Sequence, residues 1–196
     1  MTDHALARPR PQPVARPNGW WGMAIFVASE ATLFGALLGT YYYLRFKALH
    51  WPPVGTPEPK VVLPLILTGV LVLSSVPMQA ALRAARSGAL GPARLALLAA
   101  LAAQATYFGL QIHLFLDDLA KFTPGDHAYG SSYFTLLGAH HAHVAVGLLL
   151  DVWFLLRLAT GVTRYRLNGL WAATFYWHFV NALAVVVALT QLSPAL

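Results

Sequence analysis

The sequence predicts an all-α polytopic membrane bundle of five transmembrane helices, with the N-terminus inside and the C-terminus outside. Three observations carry this reading. Hydrophobic residues make up 58% of the 196-residue chain and charged residues only 10%, against roughly 25% charged in an average soluble domain. Mean hydropathy is +0.58. Five apolar runs each reach the ~20 residues that a helix needs to cross a hydrocarbon core. So little charge cannot cover the surface of a soluble domain of this size. A β-barrel would show shorter segments of alternating polarity. The chain has no cysteine, which excludes disulfides, iron–sulfur clusters and thiol catalysis. The net charge of +6 comes from basic residues placed between apolar runs. It therefore reads as topology and lipid-headgroup contact rather than nucleic-acid binding.

Residues 1–18 read as a polar cytoplasmic tail. They contain Arg8, Arg10 and Arg16 and the prolines Pro9, Pro11, Pro13 and Pro17, a composition that favours an extended arm. Residues 19–196 form the transmembrane domain. Its first run, 20–44, carries Glu30 as its only charge before the flanking Arg45. That run is too long for the core of a signal peptide. The second run, 61–82, is uncharged, with Pro64 and Pro77 as expected kinks. The third run is 95–116. The fourth, 129–156, contains His140, His141, His143 and Asp151, and the fifth, 167–192, contains His178. Proline and glycine pairs punctuate the connections, at Pro52-Pro53, Ser87-Gly88, Gly91-Pro92 and Pro124-Gly125.

Orientation follows from the basic residues. With the N-terminus inside, Arg8, Arg10, Arg16, Arg83, Arg86, Arg94, Arg157, Arg164 and Arg166 fall on the inner side. Only Arg45, Lys47, Lys60 and Lys121 fall outside, which is the bias the positive-inside rule describes. Trp20 and Trp21 open the first helix and Tyr41, Tyr42 and Tyr43 close it, as aromatic belts do at membrane interfaces. Trp20, Trp21 and Arg45 are accordingly candidate contacts for lipid headgroups or the interface.

Depth arithmetic isolates a candidate site. At 1.5 Å per residue, Glu30 lies roughly 15 Å beyond Trp20, and His140 and His178 each lie about 16 Å into their own helices. All three therefore approach the midplane of a core about 30 Å thick. His143 is placed one turn from His140. A carboxylate facing lipid at that depth is costly, so Glu30 is expected to meet one or more of His140, His143 and His178. Three readings stay open for this cluster: interhelical bonding, a lipid- or proton-responsive role, and metal or haem ligation. The run His140-His141-Ala142-His143 is a single histidine box, a sparse ligand set, and no metal site or catalytic residue is assigned to the chain. Ala31, Gly35 and Gly39 form a small-residue ladder expected to allow close helix approach, with Gly138 in the same role on the fourth helix. Asp151 is expected near the inner interface, within reach of water or Arg157.

Three ordered motifs then carry a resemblance. Trp21-Gly22-Met23-Ala24-Ile25-Phe26-Val27-Ala28-Ser29-Glu30 continues through Phe34-Gly35 to Tyr41-Tyr42-Tyr43-Leu44-Arg45. Tyr129-Gly130-Ser131-Ser132-Tyr133-Phe134 leads to His140, His143-Val144 and Gly147. Tyr176-Trp177-His178-Phe179-Val180 closes the set. Together these resemble cytochrome c oxidase subunit III, in a short form lacking the family's first two helices. The resemblance implies a subunit of a haem–copper terminal oxidase, without a redox centre of its own. Haems and copper are expected on the partner subunit I, with subunit II in the same complex and phospholipid bound in a cleft. It also implies support of proton uptake and, here, a bacterial cytoplasmic membrane. By motif position, Glu30 corresponds to the family's buried carboxylate, and His140, His143 and His178 to its histidines. Asn181 stands where the family commonly has aspartate. Other readings are an accessory protein of nitric oxide reductase, an independent bis-histidine haem protein, and a proton-coupled transporter using Glu30.

Overall fold

The protein is described by a computed structural model covering residues 18–161 and 163–193. The tail residues Arg8, Arg10 and Arg16 lie outside the described residues. Among the described residues the secondary structure is entirely helical: α1 (Asn18–Lys47), α2 (Val62–Leu73), α3 (Ser75–Arg86), α4 (Leu90–Leu119), α5 (Ala128–Ala159) and α6 (Arg164–Leu192). Five of the resulting segments are long and apolar enough to cross a membrane, with α2 and α3 together forming the second, Val62–Arg86. Each matches one apolar run of the sequence.

The second span breaks at Ser74, and the cause sits three residues on. Pro77 has no backbone N–H to return to Leu73, and its ring crowds that turn. Ser74 closes the joint by donating its N–H to Val70 O and Leu71 O, both at 3.1 Å. Its hydroxyl also donates to Leu71 O at 2.6 Å. Pro64 does not kink α2, because it lies in the first turn, where backbone N–H groups have no partner inside the helix. Pro92 stands in the first turn of α4 for the same reason, so that helix starts before the Gly91-Pro92 pair.

Tight connections set neighbours side by side. At the end of α3, Gly88 takes φ +78°, a conformation that a Cβ disfavours. Its N–H donates to Ala85 O at 3.2 Å and the Ala89 N–H to Ala84 O at 2.9 Å, a paired closure of the helix end. The chain then turns directly into α4. Helix α5 is opened by His127, whose Nδ1 accepts the Gly130 N–H at 2.8 Å. The other ring nitrogen, Nε2, therefore donates to Thr56 Oγ1 at 3.1 Å. Gly130 has no room for a side chain, since a Cβ there would lie 2.4 Å from Thr123 O.

Several basic residues close helix ends. Arg94 donates to Leu158 O near the end of α5 at 3.1 and 2.6 Å. Arg166 donates to Arg157 O at 3.1 Å and to Gly161 O at 2.6 Å. Arg45 donates to Ser193 O beyond α6 at 3.0 Å, and also bonds the Ser193 hydroxyl. Cations there satisfy orphan carbonyls and complement the negative end of the helix dipole.

The buried residues form two clusters. One joins α2, α3, α4, α5 and α6 around Trp177, Met78, Leu82 and Leu97. The other is aromatic, lies toward the Lys47 end of α1, and includes Tyr41, Phe122, Tyr129, Tyr133 and Phe134. Trp51 stands edge-on to Tyr41 and to Tyr129, with centroids 5.3 and 5.2 Å away. Helix α1 contributes only Phe34 and Tyr41 to the buried set. The small-residue ladder therefore does not serve packing within the chain. Ala31, Gly35 and Gly39 are exposed, and a Cβ added at Gly35, Gly39 or Gly138 would meet nothing within 4 Å. These glycines sit on faces turned away from the neighbouring helices. The close approaches occur instead at Gly147, under the Trp177 ring, and at Gly169, against Phe154.

Candidate functional site

Glu30 meets a single histidine. Its Oε2 lies 2.9 Å from His143 Nε2, bridging α1 and α5. His143 Nδ1 is 2.7 Å from Ala139 O. A carbonyl only accepts, so Nδ1 carries a proton and donates it. The Nε2–Oε2 contact then shares one further proton, held either as a carboxylic acid donating to neutral imidazole or as imidazolium donating to carboxylate. Aromatic rings fix the imidazole. Phe34, one turn after Glu30, stands edge-on with centroids 5.1 Å apart. Tyr176 of α6 stacks at 6.5 Å, and its hydroxyl donates to His143 O at 2.9 Å. Both members of the pair are mostly buried, with side chains 15% and 19% exposed.

His140 and His178 do not join Glu30. His140 is buried and its Nε2 lies 3.1 Å from Tyr107 Oη on α4. Three residues turn a helix by about 300°. The offset of about 60° is enough to send His143 toward α1 and His140 toward α4. His178 is exposed, with Nδ1 3.3 Å from Ser75 Oγ and Nε2 3.4 Å from Gln79 Oε1, both on α3. Asn181, one turn on, donates to the same Ser75 hydroxyl at 2.6 Å. Depth along each helix sets the level of a histidine, while the direction of its helix face decides which neighbour it meets. Among the described residues no three His, Asp or Glu side chains converge as a metal site.

The candidate interface residues separate in the same way. Trp21 is exposed at the start of α1. Trp20 stands edge-on to it at 4.8 Å and lines a recess with Arg86, Asn168 and Trp171. Arg45 is committed to Ser193 at the end of α6, as described above, rather than turned to the surroundings.

Asp151 does not lie at the inner interface. It is fully buried and faces Trp177 and Gln104. Six residues rotate a helix by about 600°, so Arg157 lies on another face, where its guanidinium sits 4.3 Å from the Trp153 ring centroid. The signal in the sequence was the α4 stripe. Gln104, Tyr107 and Gln111 recur three and four residues apart, and all are buried. A polar row at helical spacing inside an apolar span marks a face turned toward protein.

Comparison with known proteins bears on these motifs. The sequence model of the family described as "Cytochrome c oxidase subunit III" matches residues 14–191. Cytochrome c oxidase subunit 3 of Bacillus subtilis (strain 168) is 31% identical over 173 residues, covering 87% of this chain and 83% of that protein. The chain belongs to the cytochrome c oxidase subunit III family. The animal members are longer. Cytochrome c oxidase subunit 3 of Papio hamadryas is 33% identical over 171 residues, covering 83% of this chain and 64% of its own length. That of Homo sapiens is 30% identical over 168 residues and is covered to 64%. Within this subunit III fold the three motifs noted in the sequence converge on one point. Glu30 comes from the first, His143 from the second and Tyr176 from the third, and the three are joined by the contacts above.

Proposed function

We propose that the protein is the non-catalytic subunit III of a haem–copper terminal oxidase. In this reading it packs directly against subunit I, with subunit II in the same complex. It stabilises subunit I, holds phospholipid and supports proton uptake for oxygen reduction. Haems and copper are carried by subunit I, none by this chain. The setting is a bacterial cytoplasmic membrane, with the N-terminus inside and the C-terminus outside. The observation that carries the reading is the junction of the three family motifs at Glu30, His143 and Tyr176.

In this reading the pair fastens α1 to the bundle. Breaking a buried charged or hydrogen-bonded pair on one side strands its partner. The exposed row of Ala31, Gly35 and Gly39 then supplies a smooth helix face for close approach by another subunit. Phospholipid binding is supported at the Asn18 end of the bundle. A cavity of about 510 Å³ there is lined by Trp153, Arg157, Tyr165, Arg166 and Asn168, among others. Cations beside aromatic rings suit an anionic headgroup.

Purification in mild detergent, with subunit identification and a reduced-minus-oxidised spectrum, tests the assignment. Haem and copper recovered only with a large many-helix partner are expected. A partner with haem but no copper would instead place the chain in a nitric oxide reductase. Stoichiometric haem on the isolated chain would overturn the non-catalytic role.

A further inference from the structure

A second acid lies deeper in the bundle than Glu30, and neither the family motifs nor the proposed function uses it. Asp151 of α5, Gln104 of α4 and Trp177 of α6 are each fully buried. Gln104 and Trp177 lie near the middle of their helices, and Asp151 is more than two turns inside the end of α5. The Trp177 indole and the Gln104 amide are the polar groups that face the carboxyl. Yet Asp151 Oδ1 and Oδ2, Trp177 Nε1, and Gln104 Oε1 and Nε2 close no direct hydrogen bond. None of the ion pairs among the described residues involves Asp151.

The indole is held in place by α5 itself. One turn before Asp151, Gly147 leaves its face bare, and a Cβ there would lie 2.6 Å from Trp177 Cζ2 and 2.9 Å from Cε2. The indole therefore packs closely on the bare backbone of Gly147, one turn from Asp151. Three helices thus bring two donors, the indole N–H and the amide N–H₂, to face acceptors on the carboxyl and the amide oxygen. Leaving such groups unpaired at membrane depth is costly. A water molecule has the complementary valence, and buried waters typically make about three hydrogen bonds to groups of this kind.

We propose that Asp151, Gln104 and Trp177 form an internal water-binding site in the core of the bundle. A bound water accepts from Trp177 Nε1–H and Gln104 Nε2–H and donates to the Asp151 oxygens. The site hydrates an acidic side chain in the middle of the protein, where no cation pairs with it.

X-ray radiolytic labelling of the protein in its purified membrane complex, read residue by residue by mass spectrometry, tests this. Hydroxyl radicals formed from a bound water oxidise the side chain beside it even when bulk solvent has no access. Met78 is the internal control. It is intrinsically reactive, as buried as Trp177, and packed in the apolar cluster. Trp177 is expected to be oxidised at least about tenfold faster than Met78, as ordered water at the site requires. Asp151→Leu and Gln104→Leu are each expected to remove most of that difference. Equal protection of Trp177 and Met78 in the wild-type complex would overturn the proposal, because the three groups would then bond one another directly. Labelling of Trp177 that persists unchanged in an assembled Asp151→Leu variant would overturn it as well. If neither variant assembles, the wild-type ratio still decides.

Discussion

Glu30 reaches His143 at 2.9 Å in the seam between α1 and α5. Asp151, in the seam of α4, α5 and α6, has two buried oxygens that close no direct bond to protein. Both acids lie in apolar spans, but their surroundings differ. The Glu30 seam is shallow. Its partner imidazole carries one nitrogen for the helix backbone and one for the acid, so both ring nitrogens are used. The Asp151 seam is closed on all sides, and its neighbours are an amide and an indole held by packing. Local pairing secures the first acid, whereas the second depends on how tightly three helices are assembled around it. A helix at the edge of a bundle can be fastened by one hydrogen-bonded pair, while a polar group at the centre needs a network.

The largest effect is expected where packing and polarity coincide. Trp177→Ala removes the largest fully buried side chain of the bundle and should lower unfolding stability in detergent by about 3–5 kcal/mol. A loss no greater than that of Glu30→Ala would erase the distinction between the two seams. Next comes Gly147→Ala, which drives a methyl into the same indole ring and should cost about 1–3 kcal/mol. Gly35→Ala, on the open face of α1, should instead raise the stability of the chain by up to about 1 kcal/mol through helix propensity. Thermal melts of the two alanine variants should move in opposite directions.

Glu30→Ala leaves His143 Nε2 without its partner and should cost about 1–3 kcal/mol, read as reduced retention of the subunit during purification. Glu30→Gln keeps hydrogen-bonding capacity and should retain most of it. Equal retention of wild type, Glu30→Gln and Glu30→Ala would show that the pair does not fasten α1.

The smallest effect lies outside the membrane spans. The Thr123 backbone N–H donates to Asp126 Oδ2 at 2.7 Å and holds that carboxyl below its ordinary value of 3.8. Stability from this bond is complete above the ordinary value and is lost as pH falls through the lower folded one. Asp126→Ala should therefore lower stability slightly at neutral pH, flatten the acid limb of the stability profile, and differ least from wild type at the lowest pH, as pH-dependent unfolding would show.

The number of spans and their order were legible because about 20 apolar residues per crossing is a strong signal. The break at Ser74 was half legible. Pro77 announced it and Pro64 did not, since the same residue is harmless in a first turn. The site was legible to the level of the acid and its possible partners. Sequence gives the depth of Glu30, His140, His143 and His178, but which helix each face meets depends on the arrangement of the bundle. Asp151 was misplaced because closeness in sequence to Arg157 was read as closeness in space. The row Gln104, Tyr107, Gln111 held the missing information, since no lipid-facing surface would carry it.

Helix α1 is held along one face. Its anchors include Glu30, Phe34, Tyr41 and Arg45, spaced four, seven and four residues apart, which is the repeat of a one-sided seam. The neighbouring Tyr42 hydroxyl donates to Thr190 Oγ1 at 3.3 Å. Under a sideways pull such a seam opens anchor by anchor rather than failing at once, so its mechanical strength is that of one fastening at a time. Pulled along its own axis, the helix must shear them all together. The direction of load, more than its size, then decides whether α1 travels with the bundle or with whatever grips its outer face.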